Sequence, residues 1–405
     1  MTDMDRLISV LGLVVFVGLS YAFSVDRRAV KWPPILWGIA LQLIFAILIL
    51  KTAPGLAVFK FLGDLVTQFL NFSDAGAKFV FGDNFSEHFI AFKVLPTIIF
   101  FSSFITLLYH YGILQRVVQV VAWGMMKTMK TSGAETLSCA ANIFIGQTEA
   151  PLLIKPYLAT MTLSELHAVM TGGFATIAGG VMAAYISFGV AAEHLIAASV
   201  MSAPAALAIS KLLYPETEKS LTAGVVEVKV EQVYANAVDA AASGASDGLK
   251  LAANVAAMLI GFLGLLAFLN AVLGWFGGLI SLPQLSLEWI FSYLMAPVAW
   301  LMGVPWADCG KVGMILGKKT ILNEFIAYLD LMDLVKQKAI SQRSQIITIY
   351  ALCGFSNIGS IGIQIGGIGA MVPERKGDLA QLAVRAMIAG SVACFMTACI
   401  AGMLL

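Results

Sequence analysis

Asn142-Ile143-Phe144-Ile145-Gly146-Gln147-Thr148-Glu149-Ala150-Pro151 sets a glycine, an amide, a hydroxyl and a carboxylate side by side in an otherwise apolar chain. Upstream, Thr136 to Thr148 carries no formal charge; downstream, only Ala150 to Ile154 separates Glu149 from Lys155. Neither arm has the ~20 apolar residues that a bilayer crossing takes. A polar tip between two short arms, punctuated by Gly146, Pro151 and Pro156, predicts a re-entrant hairpin. Irregular backbone at membrane depth is tolerated where protein buries it or where it lines a watery cavity.

Working outward, the composition sets the class. The chain has 405 residues, 59% of them hydrophobic and only 12% charged, and its mean hydropathy is +0.88. A soluble protein carries about 25% charged residues, so this is an integral membrane protein. A formal net charge of +1 and the lack of a basic cluster give no case for nucleic acid. Cys139, Cys309, Cys353, Cys394 and Cys399 lie in apolar surroundings without CxxC spacing and read as small core residues. The histidines form no HExxH arrangement, which argues against a zinc protease. Asp3, Asp5 and Arg6 precede the first apolar run, and Arg27, Arg28 and Lys31 follow it. That reverses the charge order of a cleaved signal peptide, so Leu7–Val25 reads as a first span.

Uncharged windows predict eight spans: Leu7–Val25, Trp32–Leu50, Val94–Gln115, Leu166–Ala192, Leu195–Ser210, Leu251–Leu273, Ser344–Ile365 and Ala386–Leu405. Trp289–Val304 is a ninth apolar stretch, open between a span, an interfacial helix and half of a re-entrant element. Basic residues at 27–31, 116–130, 211–219 and 375–376 put both termini outside, with Lys336, Lys338 and Arg343 on the wrong side of that count. Ala53–Leu70, carrying Lys60 and Asp64, reads as an interfacial amphipathic helix. Pro215–Gln232 is the solvated loop, and Ala235–Lys250 reads as a helix lying against the membrane before the sixth span.

The chain echoes itself. Gly173-Phe174-Ala175-Thr176-Ile177-Ala178-Gly179 resembles Gly354-Phe355-Ser356-Asn357-Ile358-Gly359-Ser360, each interrupting an uncharged window. Upstream of each stands a carboxylate beside a polar neighbour, Thr148-Glu149 and Asn323-Glu324. The order hairpin, broken span, span thus occurs twice, and the span count starts the two hairpins on opposite faces. Inverted repeats with broken helices are the sequence pointer to a secondary transporter's binding site. Glycine-rich repeats also serve close helix packing, but packing leaves the two carboxylates unexplained. The division that follows is scaffold at 1–131, first transport repeat at 132–212, loop, interfacial helices and a scaffold span at 213–305, and second transport repeat at 306–405.

Glu149 and Glu324 are the sharpest candidates, because a carboxylate in the bilayer core costs about 2.5–3.5 kcal/mol on insertion scales. The competing structural role is an ion pair with Lys155, Lys318 or Lys319 nearby in sequence. With Gln147, Thr148, Asn323, Asn357 and Ser360, the acids make a set rich in acceptors and amides. A neutral polyhydroxylated or heterocyclic solute fits that set better than phosphate or carboxylate. Asn142, the carbonyl region of Ile145, and Thr176-Ile177 offer hard oxygens for a coupling cation. An intramembrane enzyme built on the two acids is the other class to weigh, but neither a nucleophile–base motif nor metal-ligand spacing accompanies them. A passive channel is a third.

Asn142–Leu152 and Gly354-Phe355-Ser356-Asn357-Ile358-Gly359-Ser360-Ile361-Gly362-Ile363-Gln364-Ile365-Gly366-Gly367 together resemble the concentrative nucleoside transporter family, as does Pro373-Glu374-Arg375-Lys376-Gly377-Asp378. The resemblance runs over essentially the whole chain. It implies an all-α polytopic membrane protein with eight transmembrane helices, two re-entrant helical hairpins in inverted repeats and interfacial amphipathic helices. It further implies a homotrimer in the lipid bilayer of a bacterial inner membrane, importing nucleosides such as uridine by sodium symport with an elevator-like movement, and no organic cofactor. Some bacterial relatives use protons instead. By this resemblance Gly146, Gln147, Thr148 and Glu149 face the nucleobase, and Glu324, Asn357 and Ser360 hold the ribose hydroxyls. Val181, Leu251 and Phe355 match apolar wall positions, and Asn142, Ile145, Thr176 and Ile177 match the sodium site. Thr176 stands where sodium-coupled relatives usually have serine, and it keeps the hydroxyl.

Overall fold

The computed structural model describes residues 3–222 and 234–405, and these are helical throughout, with turns between. Part of the loop expected at Pro215–Gln232, residues 223–232, lies outside the described residues. The first third runs through α1 (Asp3–Ala22), α2 (Trp32–Lys51), α3 (Ala53–Leu70), α4 (Ser73–Phe81), α5 (Leu95–His110) and α6 (Ile113–Met129). Next comes a hairpin of α7 (Gly133–Ala141) and the 3-10 helix Ala150–Thr160, then α8 (Leu163–Ala175), α9 (Gly179–Ser187) and α10 (Ala192–Leu213). The long α11 (Ala237–Leu279) leads to α12 (Leu287–Leu294) and α13 (Ala296–Leu301). A second hairpin of α14 (Trp306–Ile321) and α15 (Glu324–Lys336) is followed by α16 (Gln342–Leu352), α17 (Ile358–Met371) and α18 (Lys376–Leu404).

Eight helical stretches among the described residues are long and apolar enough to cross a membrane, but they are not quite the eight read from uncharged windows. Ala53–Phe81 qualifies, because Lys60 and Asp64 break an uncharged window without breaking a helix. Ser344–Ile365 does not form one span. It divides between α16 and α17, of 11 and 14 residues, because Cys353 leaves helical geometry and Asn357 starts a new helix as its cap. Leu166–Ala192 is likewise two helices, α8 and α9, parted at Thr176–Ala178. Ala235–Lys250 is not a separate helix: it runs into the sixth span as a single helix of 43 residues. Trp289–Val304 breaks at Met295 into α12 and α13, of 8 and 6 residues, each too short to cross.

Burial separates a core from a periphery. In the windows Leu163–Ser187 and Ala192–Leu213, 89% of residues are buried within the chain, against 11% for Ala53–Phe81 and Ala237–Leu279. The two hairpins and broken helices thus form the centre, with α3, α4 and α11 on the outside. α11 lies along α5, where a Cβ on Gly248 would come within 2.8 Å of the Ile99 Cα, so the missing side chain lets the two backbones approach.

Each hairpin is tied down at its base by polar contacts. At the first, Ser132 N–H donates to Glu135 Oε1 (2.9 Å) and the buried Lys211 Nζ lies 2.6 Å from Glu135 Oε2. At the second, Asp308 Oδ2 accepts from Ser344 Oγ (2.5 Å) and Ser341 N–H (3.0 Å). Burial alone would raise the Asp308 carboxyl, but these hydrogen bonds outweigh it and hold it below the usual carboxylate value.

Candidate functional site

The tips of both hairpins converge on the two interruptions. Two helices of the second repeat start on asparagine caps: Asn357 Oδ1 accepts the Ser360 N–H (2.8 Å) at the start of the half-helix α17, and Asn323 Oδ1 accepts the Ile326 N–H (2.9 Å) at the start of the hairpin arm α15. The cap leaves Asn357 with its amide donors free, and Nδ2 donates to Glu324 Oε2 at 2.9 Å. Tyr185 Oη, on α9, donates to Glu324 Oε1 at 2.9 Å. Glu324 is 4% exposed, sits in the first turn of α15 and draws a donor from each repeat. A carboxyl group in the first turn of a helix, with one donor already on each oxygen, can accept further hydroxyls.

Gln147 joins the same cluster from the first hairpin. Its Oε1 accepts from Gln364 Nε2 at 3.0 Å, and its Nε2 reaches Ser360 Oγ at 3.4 Å, a long contact. Gln364 Nε2 also donates to the Met170 carbonyl on α8 (3.1 Å). A Cβ on Gly173 would come within 2.7 Å of Gln364 Nε2 and 2.8 Å of Gln147 Cβ, so glycine there makes room for the amide pair. Thr148 packs on Gly367 of α17, whose Cβ would meet Thr148 Cγ2 at 2.6 Å. Glu149 differs from its counterpart Glu324: it is exposed, accepts from Thr148 Oγ1 at 2.9 Å and folds its carboxylate against Gly146.

The expected wall residues lie on the elements that carry or flank this cluster. Val181 is buried on α9 and Phe355 half-buried in the second interruption. Leu251 on α11 comes within 3.7 Å of the Cβ position of Gly180, and Met258 and Phe262 reach within 3.8 Å of that of Gly359. Thus α11 flanks the start of both second half-helices.

The expected cation residues are also neighbours. Asn142 caps the end of α7 and is fully buried. Its Nδ2 donates to the Ser138 carbonyl (3.0 Å), while its Oδ1 and the Ser138 Oγ have no hydrogen-bond partner among the described residues. Gly172 lies between Asn142 and Thr176: a Cβ there would be 3.4 Å from Asn142 Nδ2, and its carbonyl accepts from Thr176 Oγ1 at 2.8 Å. The tip touches the break through Gly179 N–H to the Phe144 carbonyl (3.3 Å). Ile145 and Ile177 are buried beside it and could offer only main-chain oxygens. Among the described residues no group of three or more His, Cys, Asp or Glu side chains could hold a metal. Buried orphan oxygens in a neutral setting suit a hard monovalent cation rather than a transition metal.

Tyr185 and Gln364 were not anticipated as contacts. Gln364 carried a signal: Asn357, Ser360 and Gln364 are spaced i, i+3, i+7, which places them on one helix face. Tyr185 carried none, because its link to Glu324 joins residues 139 apart in sequence. Asn323, expected as part of the ligand set, spends its side-chain oxygen on the α15 cap.

A helical membrane fold with two hairpins meeting two broken helices defines a secondary transporter architecture. Three family models cover the chain: Na+ dependent nucleoside transporter N-terminus (residues 11–84), Nucleoside recognition (91–192) and Na+ dependent nucleoside transporter C-terminus (194–402). The chain belongs to this transporter family, which is not a family of enzymes. Among curated relatives, human Solute carrier family 28 member 3 is 50% identical over 99% of the chain and 60% of its own length, and mouse Sodium/nucleoside cotransporter 1 is 49% identical over 99% and 64%. The chain therefore spans about 60% of the length of the curated relatives it matches. Among solved structures, CNTnw in an inward-facing substrate-bound state superposes with a TM-score of 0.94 at 38% identity, covering 99% of this chain and 98% of that one. A CNTnw variant in an outward-facing state gives 0.95 at 38%, covering 100% and 98%.

Proposed function

We propose that this chain imports nucleosides across a membrane by symport with sodium. The observation that carries the reading is Glu324, a buried carboxylate held by Tyr185 from one repeat and Asn357 from the other. Its position suits the hydroxyls of a ribose, and the amides of Gln147 and Gln364, with Thr148 and Glu149, suit the edge of a base. Gly146 gives the tip room to close on it, and Val181, Leu251 and Phe355 supply apolar walls. Sodium is assigned to Asn142, Thr176 and the main-chain oxygens of Ile145 and Ile177, on the strength of the unpartnered Asn142 Oδ1 and Ser138 Oγ.

In this reading residues 132–212 and 306–405 form a transport unit that moves, elevator-like, against a scaffold of 1–131 and 213–305. The hairpins are re-entrant, the working form is a homotrimer, and the site of action is the bacterial inner membrane. The family resemblance is the support for all of these, and the buried placement of α8 and α10 against the exposed α11 is consistent with the division into unit and scaffold.

Liposomes containing the purified protein should accumulate labelled uridine under an inward sodium gradient and not under a proton gradient alone. Equal accumulation under protons without sodium would assign proton coupling instead. Downhill flux only, with no accumulation under either gradient, would mark a channel.

A further inference from the structure

Two side-chain amides join the first hairpin to the second broken helix, and a main-chain oxygen fixes which way both of them face. Gln364, on α17, is 0% exposed, and Gln147, at the hairpin tip, is 7% exposed. The two ends of a carboxamide are nearly equal in size, so hydrogen bonding sets its orientation: the nitrogen only donates and the oxygen only accepts. Gln364 Nε2 lies 3.1 Å from the Met170 main-chain oxygen and 3.0 Å from Gln147 Oε1. A main-chain carbonyl cannot donate, so the end of Gln364 that faces Met170 must be its NH2. Gln364 Oε1 has no partner among the described residues, so nothing there opposes that orientation.

The direction passes on to Gln147. The second hydrogen of Gln364 Nε2 needs an acceptor, and only the oxygen end of Gln147 supplies one. Gln147 Nε2 is thereby turned the other way, toward Ser360 Oγ at 3.4 Å. Ser360 does not decide this, because a hydroxyl serves a donor or an acceptor equally. Gln364 thus spends both hydrogens inside the protein, while Gln147 keeps a hydrogen beyond its long contact with Ser360.

We propose that Gln364 is a positioning residue for base recognition: it locks Gln147 with its nitrogen toward the substrate, so that this amide can donate to a base but not accept from it. The role rests on the nucleoside reading above. A locked donor discriminates between bases that differ by exchange of an acceptor for a donor. Uridine carries a carbonyl oxygen where cytidine carries an amine, so the lock favours uridine.

Calorimetry on the full-length protein, with uridine and cytidine in the presence of sodium, tests it. The wild type should bind uridine roughly three- to tenfold more tightly than cytidine, the worth of one net hydrogen bond. Gln364→Met removes both donated bonds and frees Gln147 to turn, so the ratio should fall to about one. Gln364→Glu should carry it to one or below. An ionised carboxyl only accepts, and a protonated one must give its single hydrogen to Met170, so Gln147 donates inward in either case and shows its oxygen to the base. A residue that merely supported the site would weaken both nucleosides alike and leave the ratio unmoved. The wild-type ratio retained in a folded, nucleoside-binding Gln364→Met or Gln364→Glu overturns the proposal, as does a wild type that binds cytidine as tightly as uridine. If one variant does not fold the other decides, and if neither folds the wild-type ratio does. A wild type that binds no nucleoside would instead sink the functional reading itself.

Discussion

Asn357 faces two ways: its Oδ1 caps α17 through the Ser360 N–H at 2.8 Å, and its Nδ2 donates to Glu324 Oε2 at 2.9 Å. The start of the second broken helix and the orientation of the buried carboxylate are therefore a single arrangement. A change at either residue disturbs both.

Glu324→Gln tests the carboxylate. A carboxamide must turn an N–H toward either Asn357 Nδ2 or Tyr185 Oη; the first cannot accept, and the second would have to give up its donor role. Loss of charge-assisted bonds of about 1.5–3 kcal/mol predicts uridine uptake reduced by roughly one to two orders of magnitude. Size-exclusion and thermal unfolding profiles should match the wild type, and normal uptake by the variant would remove Glu324 from the site.

Tyr185→Phe keeps the ring, which packs on Tyr328 with centroids 4.4 Å apart, and removes only the donor to Glu324 Oε1. A carboxylate oxygen left without its donor costs about 1–3 kcal/mol. The expected result is a raised KM for uridine, with a much smaller change for a 2′,3′-dideoxy analogue that lacks the hydroxyls. Equal effects on both substrates would make Tyr185 a packing residue.

Gly173→Ala should impair uptake by pressing on Gln147 and Gln364, whose atoms lie within 2.8 Å of the added Cβ position. Gly362→Ala, on the same α17 that carries Gln364, meets nothing within 4 Å and is the control. Comparable uptake by both variants would mean that the amide pair tolerates displacement.

Lys211→Met should lower stability more than any substrate-site change. It strands the buried Glu135 carboxylate at the first hairpin base, 2.6 Å from where Nζ stood, a loss of about 3–5 kcal/mol. The double variant with Glu135→Gln should recover part of the melting temperature. If the double variant unfolds no later than Lys211→Met alone, the ion pair is not what secures the hairpin.

Much of this was legible in one dimension. Low charge and long apolar windows dictate a helical membrane protein, because only satisfied backbone enters lipid. Polar residues that interrupt such windows stand out as candidates, and of these Gln147, Glu324, Asn357 and Ser360 meet in one hydrogen-bonded region, joined through Gln364 and Tyr185. Helix boundaries were less accessible. Lys60 and Asp64 hid a membrane-length helical stretch, α3 and α4 together at Ala53–Phe81, and the uncharged Ser344–Ile365 concealed a break set by the Asn357 cap.

What only the tertiary structure decided is partnership. Sequence made Glu149 and Glu324 look alike, yet packing buries Glu324 between Tyr185 and Asn357 and leaves Glu149 exposed with Thr148. It made Lys319 a candidate ion-pair partner for a carboxylate, whereas the fold gives it the Ala351 carbonyl. These outcomes depend on hydrogen bonds between residues tens to hundreds apart, which no local pattern specifies. The residues fix which groups must be satisfied; the meeting of the two repeats fixes by whom.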